Sequence, residues 1–167
     1  ALPISSFVFL VTYPKSGTVW MSYILSILLN DISDDFSNIR EIVAGIISLN
    51  EYHTPLNGFF EHRIGRSHQK LSTFPSSCKK VYVVRNPVDV LYSANTFFDR
   101  SGGPARQVED FLPIFLESLH NFGTWKDHVE DAITNKDENT IIVSYESLKN
   151  DFENTVTTIA KIGRAHV

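Results

Sequence analysis

Apolar residues occur along the chain in two kinds of pattern, short continuous runs and longer stretches with helical spacing. Three continuous runs are rich in β-branched and aromatic residues and have the length of strands buried on both faces: 7–13, 81–85 and 139–145. The string RIGRSH, which ends at His68, indicates a further short strand. These four segments predict the centre of a sheet.

Helical spacing predicts the elements between the strands. It occurs in these stretches: 16–30, 38–49, 87–99, 107–134 and from Asp151 to about Lys161. The third stretch has a clear start, because Asn86 is a suitable N-cap, Pro87 suits the first helical position and Asp89 lies in the first turn. Strands that alternate with helices predict an α/β domain with a mostly parallel central sheet flanked by helices.

The remaining segments are predicted to be loops or ends. Residues 52–60 and the Gly-Pro segment 101–105 are predicted loops. The first residues, ALPISS, lack a methionine, and the last six, IGRAHV, resemble the translation of a sequencing adapter. We therefore expect a partial domain at 1–161, a non-native tail at 162–167 and a fragment truncated at both ends. A Gly163 cap followed by a short natural tail is the alternative.

The composition is that of an ordinary globular protein, with 43% apolar and 20% charged residues. A net charge of −4 gives no reason to expect nucleic acid as a partner, although local donors can still form an anion site. The single cysteine, Cys78, excludes an internal disulfide and is typical of a reducing compartment, so we expect a cytoplasmic protein. No apolar run reaches the roughly 20 residues that span a bilayer, and we expect no membrane partner.

The turn after the first predicted strand has the chemistry of an anion site. The string TYPKSGTVW places Lys15, Ser16, Gly17 and Thr18 between a strand and a helix. Backbone amides and the helix dipole favour an anion there, and the ammonium and hydroxyl groups suit phosphate or sulfate oxygens. The spacing differs from the Walker pattern, because Lys15 precedes the glycine. An ordinary turn whose lysine points into water is the alternative.

A second cationic strand end occurs in the string VVRNPVDVLYS. Arg85 ends its strand at the same predicted sheet edge, and Ser93 lies about two helical turns later. Both side chains face one ligand group if the helix folds back over the strand end. Pairing of Arg85 with a carboxylate is the alternative. Two cationic strand ends on one edge suggest a ligand with two anionic groups.

Four strings appear in the order expected of a cytosolic sulfotransferase: TYPKSGTVW, VYVVRNPVDVLYS, GTWKDHV and IIVSYESLKNDFENT. They resemble that family's 5′-phosphosulfate loop, its 3′-phosphate motif, a segment on the acceptor side, and the strand and turn that contact adenine. The resemblance covers most of residues 7–161. It implies an incomplete P-loop-like sulfotransferase fold and an enzyme that needs no metal. The implied donor is 3′-phosphoadenosine 5′-phosphosulfate (PAPS), and the implied acceptor is a small, largely apolar alcohol, phenol or amine.

The resemblance also implies which residues hold the donor. The 5′-phosphosulfate is assigned to Lys15, Ser16, Gly17 and Thr18, the 3′-phosphate to Arg85 and Ser93, and adenine to Trp20 and Tyr145. Lys15 is further implied to stabilise charge on the bridging oxygen as the S–O bond breaks. Core packing is the alternative for Trp20, and a hydroxyl in water is the alternative for Tyr145.

The family has a catalytic histidine shortly before its second motif, and the string GRSHQKL places His68 there. The usual histidine pKa of about 6.5 suits removal of an acceptor proton near neutral pH. His53 and His62 are rivals, but they lack the basic–hydroxyl–histidine context. The resemblance places Phe97 at a position that lines the acceptor pocket, and His128, in GTWKDHV, is a further candidate for the acceptor side. Phe98 and the pair at 59–60 are candidate apolar walls, and core packing is the alternative for all these phenylalanines.

Two departures from the family pattern lower the expected activity. Val19 stands where a second threonine is common, which removes a hydroxyl donor that contributes roughly 1.5–3 kcal/mol toward a charged group. The family's Arg-Lys-Gly motif, which completes the 3′-phosphate clamp, and its dimerisation segment have no counterpart in these residues. We expect this chain to be a poor or inactive enzyme and the full-length protein to be active, with a homodimer as one option.

Two other functions stay open. A P-loop-type nucleotide kinase is disfavoured by the missing Walker spacing and by the lack of an evident magnesium-binding Asp on the second strand. A non-catalytic nucleotide-binding relative is compatible with Val19 and with the missing motif. The acceptor also stays open among phenols, steroids, aliphatic alcohols and amines.

Overall fold

The computed structural model describes residues 7–30, 43–46, 63–101, 106–118 and 122–164. Within them, one sheet contains the strands β1 Phe7–Thr12, β2 Val43–Ile46, β3 Arg63–Ser67, β4 Lys79–Val84 and β5 Thr140–Ser144. The helices are α1 Thr18–Asn30, α2 Pro87–Arg100, α3 Val108–Glu117, α4 Trp125–Thr134, α5 Tyr145–Asn150 and α6 Phe152–Arg164. A short 3-10 turn lies at Leu71–Thr73.

The strand order is β2-β3-β1-β4-β5, and every described pair is parallel. β1 lies at the centre, where Leu10 is in register with Arg66 of β3 on one side and with Val81 of β4 on the other. The carboxyl ends of all these strands meet at one edge. In open parallel sheets, ligands bind at this edge, near the point where the strand order reverses. The predicted α/β class with a parallel sheet is confirmed.

The core explains why the strands are continuously apolar. Val8 and Leu10 of β1 pack on one face with Leu25 of α1 and Ile159 of α6. Phe9 and Val11 of β1 pack on the opposite face in a second cluster with Leu71, Phe74, Cys78, Tyr82 and Ala132. Because successive side chains of a strand point to opposite faces, helices that cover both faces require apolar residues at every position.

The predicted helix at 38–49 is wrong in its described part, because Val43–Ile46 forms β2. Residues 38–42 and 47–49 lie outside the described residues. Val43 pairs with Ile64, and Ile46 pairs with Arg66. A short apolar run fits a helix or a strand by periodicity alone, and here pairing with β3 decides. The predicted loop at 52–60 and residues 102–105 of the second loop also lie outside the described residues.

The helical pattern at 107–134 is two helices rather than one. α3 ends at Glu117, and α4 begins at Trp125 after a break. The break has a local cause, because Gly123 has a φ of 80° and the Thr124 side chain caps α4 by accepting a hydrogen bond from the Asp127 amide. Periodicity continues across such a break because both helices bury one face.

The other predicted elements are confirmed, with shifts of a few residues at their ends. Asn86 caps α2 as expected, since its side chain accepts a hydrogen bond from the Val88 amide at 2.9 Å. α5 was not predicted. α6 extends to Arg164, and Ile162 is buried in the core, whereas the foreign origin of 162–167 stays a prediction. Across the described residues, no helix is both long enough and apolar enough to cross a membrane.

Candidate active site

A cavity of about 610 Å³ opens at the carboxyl edge of the sheet. It is lined by Pro14, Lys15, Gly17, Thr18, Val19, Trp20, Arg66, His68, Arg85, Ser93, Ala94, Phe97, Phe98, Phe122 and Tyr145. The turn after β1, the residue after β3 and the residue after β4 therefore contribute to one space. In particular, the structure brings Lys15, Arg85 and His68 together.

The turn after β1 has an unusual backbone. Lys15 has a φ of 69° and Gly17 a φ of 106°, so two residues of the turn adopt left-handed conformations. This conformation is uncommon for a residue with a side chain. Ser16 donates its amide proton to the Tyr13 carbonyl at 3.1 Å, and the first turn of α1 follows, with the Met21 amide bonded to the Gly17 carbonyl. The turn thus leads directly into a helix N-terminus, as an anion cradle requires.

Gly17 also has a steric role. A Cβ atom at this position would lie 2.7 Å from Cδ2 of Tyr145, which is closer than carbon atoms can approach. The Tyr145 ring therefore packs directly over the turn. Trp20 meets the same ring edge-to-face at 5.4 Å and stacks on Phe152 at 6.4 Å. Trp20 consequently lines the cavity and contributes to packing at the same time.

Lys15 is held over an aromatic ring. Its Nζ lies 4.0 Å from the centre of the Phe97 ring, a cation–π contact. Burial, and then the nearby Arg85 guanidinium, lower the pKa of Lys15 from its usual value. The ammonium group is thus partly desolvated and repelled by a second cation. An anionic ligand in the cavity would relieve both effects.

Arg85 is oriented by three neighbours. Its Nη1 donates to the Lys15 carbonyl at 3.0 Å, and its guanidinium carbon lies 4.2 Å from the centre of the Tyr145 ring. Its own carbonyl accepts a hydrogen bond from Nε1 of Trp125 at 3.1 Å. Ser93 on α2 lines the same cavity. Arg85 at the strand end and Ser93 on the helix therefore line one cavity, which is the condition for both to face one ligand group.

Two buried donors beside this cavity have no hydrogen-bond partner among the described residues, Oγ of Ser16 and Nε of Arg85. Ser16 has no exposed surface and is not among the lining residues. A buried donor without a partner costs about 1–3 kcal/mol, so such groups call for an acceptor. Phosphate or sulfate oxygens are acceptors of the right kind, and the residues present therefore fit an anionic nucleotide.

His68 has a defined proton arrangement. Its Nδ1 lies 2.8 Å from the Thr12 carbonyl oxygen and 3.2 Å from the Thr12 hydroxyl. A carbonyl oxygen only accepts, so Nδ1 carries the proton, and in the neutral ring the lone pair is on Nε2. The Thr12 hydroxyl also lies 2.8 Å from the Thr18 hydroxyl, which links His68 to the turn. The ring packs edge-on against Phe122 at 5.5 Å.

Sequence reasoning missed Thr12, which orients His68. A signal was available in the sequence, because Thr12 is the one polar residue within the apolar strand β1. In the structure its side chain is completely buried. Phe122 belongs to the stretch 107–134 that was predicted to be helical, yet it lies between the two helices and lines the cavity. Val19 also lines the cavity and is 60% exposed, so its side chain faces the space that a ligand would fill.

Of the predicted acceptor residues, Phe97 and Phe98 line the cavity, but His128 does not. His128 has no exposed surface. It lies behind His68, bonded to the His68 carbonyl at 3.0 Å and to the Tyr82 hydroxyl at 2.8 Å. The rivals His53 and His62 and the pair at 59–60 lie outside the described residues.

The chain matches known proteins along most of its length. The family model described as "Sulfotransferase domain" matches residues 6–163. Human Sulfotransferase 2B1 is 31% identical over 175 residues, which covers 91% of this chain and 44% of that protein. The chain spans about half the length of the curated relatives it matches.

Solved structures agree with the family match. The crystal structure of mouse sulfotransferase SULT7A1 complexed with PAP superposes with a TM-score of 0.70 at 26% identity, covering 98% of this chain and 60% of that one. Retinol dehydratase in complex with androsterone and PAP has the same TM-score of 0.70, over 97% of this chain and 60% of that one; at 18% identity it shows the fold alone. With a family model that matches nearly its whole length, the chain belongs to the sulfotransferase family.

Proposed function

We propose that the protein transfers a sulfuryl group from PAPS to a hydroxyl or amine of a small, largely apolar acceptor. One observation carries this proposal: Lys15, Arg85 and His68 line the same cavity at the carboxyl edge of the sheet. Two cations suit a donor with two anionic groups, and a histidine suits an acceptor that must lose a proton. The mouse relative was crystallised with PAP, which is PAPS without its sulfuryl group, and this supports the choice of donor.

The donor would be held from both ends. The turn after β1 would bind the 5′-phosphosulfate through its amides, the Lys15 ammonium and the hydroxyls of Ser16 and Thr18. Arg85 and Ser93 would bind the 3′-phosphate. Nε of Arg85 has no partner among the described residues and would supply one donor for these oxygens. Oγ of Ser16 has none either, but Ser16 does not line the cavity and would have to move to reach the ligand. The adenine would pack against the rings that meet over the turn, Trp20 and Tyr145.

The acceptor would occupy the apolar part of the cavity. Phe97, Phe98 and Phe122 line it together with Val19 and Ala94. The whole cavity of about 610 Å³, which the donor and the acceptor would share, lies within the usual range for a small-molecule site, roughly 300–1,000 Å³. Apolar walls around a single base select an acceptor with one polar group on an apolar body.

The reaction would be an in-line displacement at sulfur. His68 takes the acceptor proton at Nε2, because its Nδ1 already donates to Thr12. The acceptor oxygen or nitrogen forms a bond to sulfur as the bond from sulfur to the bridging phosphate oxygen breaks. Lys15 stabilises the negative charge that develops on this oxygen.

The finer expectations from the sequence belong to the same proposal. Val19 and the missing Arg-Lys-Gly motif should make the 167-residue chain turn over poorly on its own, whereas the full-length protein should be active. The reaction would need no metal. It would take place in the cytoplasm, in a monomer or a homodimer.

The substitution His68→Ala tests the proposal. We expect turnover of labelled PAPS by the full-length protein to fall about 10²-fold or more, since the base is lost. The affinity for PAP, measured by calorimetry on the 167-residue chain, should stay unchanged. Gln69→Ala is the matched control, because this exposed neighbour lies outside the cavity lining, and it should leave both quantities unchanged.

Three results would contradict the proposal. Wild-type turnover in His68→Ala would remove the base from the mechanism. Normal donor binding without turnover in the full-length wild type would favour a non-catalytic relative. A nucleotide affinity that requires magnesium, with ATP preferred over PAP, would favour a kinase.

A further inference from the structure

His128 is a buried histidine for which the proposed reaction has no use. It lies in α4 with no exposed surface, and both of its ring nitrogens have partners. Nε2 lies 3.0 Å from the main-chain oxygen of His68, and Nδ1 lies 2.8 Å from the hydroxyl of Tyr82. A buried side chain with two directional bonds, one of them to the proposed base, is fixed in one orientation.

The partners determine where the protons lie. The His68 carbonyl only accepts, so Nε2 of His128 is the donor. In a neutral ring Nδ1 is then the acceptor, and the Tyr82 hydroxyl donates to it; the contact of that hydroxyl with the His128 carbonyl is longer, at 3.3 Å. Burial lowers the pKa of His128, and burial raises the pKa of Tyr82. Both groups are therefore neutral near pH 7, as this arrangement requires.

His68 is thereby attached at two points. Its ring Nδ1 donates to the carbonyl of Thr12 at the end of β1, and its main-chain oxygen accepts from His128 of α4. The second point matters because His68 lies one residue beyond the last register pair between β1 and β3, which is Val11 with Ser67. Pairing in the sheet therefore does not fix its backbone, and the bond from α4 does.

We propose that His128, with its tautomer set by Tyr82, is a positioning residue for His68. It fixes the His68 backbone so that the ring presents Nε2 to the acceptor while Nδ1 stays bonded to Thr12. The inference rests on the proposed role of His68 as the base. Placement of a base matters strongly, since an error of about 1 Å in a reacting group can cost about 10²-fold in rate.

Two substitutions at His128 separate positioning from packing. His128→Met keeps a buried side chain of similar length but removes the donor to the His68 carbonyl. We expect kcat of the full-length protein to fall at least about tenfold, with acceptor KM and PAP affinity within about threefold of wild type. His128→Gln retains an N–H donor near the position of Nε2, and we expect it to recover most of the lost kcat.

The Tyr82 hydroxyl provides an independent test. This test remains decisive in the case that His128→Met does not fold. Tyr82→Phe removes the donor to Nδ1, so the other His128 tautomer becomes accessible and presents a lone pair to the His68 carbonyl. In the wild-type background, we expect Tyr82→Phe to lower kcat several-fold. In the His128→Gln background, we expect the same substitution to leave kcat unchanged. Such non-additivity is the signature of residues that act through one another.

The His68 ring itself gives a readout that needs no turnover. In the 167-residue chain, ¹⁵N chemical shifts should show His68 as the Nδ1–H tautomer, and Tyr82→Phe should convert it to a mixture. A variant that lowers the melting temperature but leaves kcat and the His68 shifts unchanged would overturn the inference and leave the proposed function intact. A different result would overturn the proposed function itself, namely turnover at the wild-type rate in His68→Ala.

Discussion

Gly17 is constrained at the residue scale by its own backbone and by its neighbour. Its φ of 106° is unfavourable for any residue with a side chain, and a Cβ atom would lie 2.7 Å from the Tyr145 ring. Gly123 has a comparable φ of 80°, but a Cβ atom there would meet Lys70 at an ordinary 3.6 Å. The two glycines therefore share the backbone strain and differ in the clash.

This difference makes a controlled prediction. Gly123→Ala should cost about 1–2 kcal/mol of unfolding free energy, from left-handed backbone strain alone. Gly17→Ala should cost more in a urea melt and should also weaken PAP binding at least about tenfold, because the ring must move away from the turn. Equal losses of stability in the two variants, with PAP affinity retained in both, would contradict the packing of Tyr145 over the turn.

The role of a residue can be predicted from the sequence where it depends only on its neighbours along the chain. The turn of Lys15, Ser16, Gly17 and Thr18 follows a buried strand, and that order alone indicates an anion site. The role of Thr12 was not predictable in this way. It depends on the distance between two hydroxyls and a histidine ring that are remote in the chain.

At the scale of elements, a buried ion pair attaches β4 to the segment before β5. Nζ of Lys80, which is 1% exposed, lies 2.7 Å from Oδ2 of Asp137 and 3.1 Å from the Pro75 carbonyl. Removal of the carboxylate leaves a buried ammonium without its counter-ion. We expect Asp137→Ala to cost about 3 kcal/mol of unfolding free energy, the lower end for a buried pair, since Asp137 keeps some contact with water.

The exposed pair of Lys126 and Glu130 in α4 is the matched control. Nζ of Lys126 lies 3.6 Å from Oε1 of Glu130, and both side chains are mostly exposed. Glu130→Ala should therefore cost less than about 0.5 kcal/mol of unfolding free energy. Urea melts of both variants measure the difference. If Asp137→Ala costs no more than Glu130→Ala, the bond between Lys80 and Asp137 does not stabilise the fold.

The same pair predicts how stability depends on pH. Burial alone would raise the pKa of Asp137, but the hydrogen bonds from Lys80 and Thr140 outweigh it and lower the pKa. A lowered pKa in the folded state adds stability that is fully present above the unfolded value of about 3.9 and is lost as the pH falls toward the folded value. Melts from about pH 6 to about pH 2.5 should therefore show the advantage of wild type over Asp137→Asn shrinking below about pH 4. A constant difference across this range would contradict the sign.

Elements were predicted well where local signals agree and poorly where they conflict. Asn86, Pro87 and Asp89 define the start of α2 without tertiary information. The run at Val43–Ile46 has no such start signal, and its pairing with β3 overrides its helical spacing. A few consecutive residues are enough to specify a helix cap. A strand at the edge of a sheet, in contrast, is specified only by its pairing with the neighbouring strand.

At the scale of the whole molecule, donor binding should stabilise the fold, because the site joins the ends of β1, β3 and β4. PAP at a hundredfold excess over its Kd should add about 2.7 kcal/mol. For a chain of this size we expect the melting temperature to rise by roughly 5–10 °C. Adenosine 5′-phosphate lacks the group assigned to Arg85 and Ser93, so at the same concentration it should give a smaller shift. Equal shifts would remove these two residues from the 3′-phosphate assignment.

By itself the sequence determined the class of the fold and the family, and it predicts an anion site in the turn, because each depends on residues that are neighbours along the chain. Continuous apolar runs specify strands covered on both faces, and a glycine in a basic, hydroxyl-rich turn specifies a place for an anion. Only the tertiary structure decided that Val43–Ile46 is a strand, that Thr12 holds the His68 ring and that His128 lies behind the cavity. These outcomes depend on contacts between remote segments, whose geometry is set by how the sheet and helices pack.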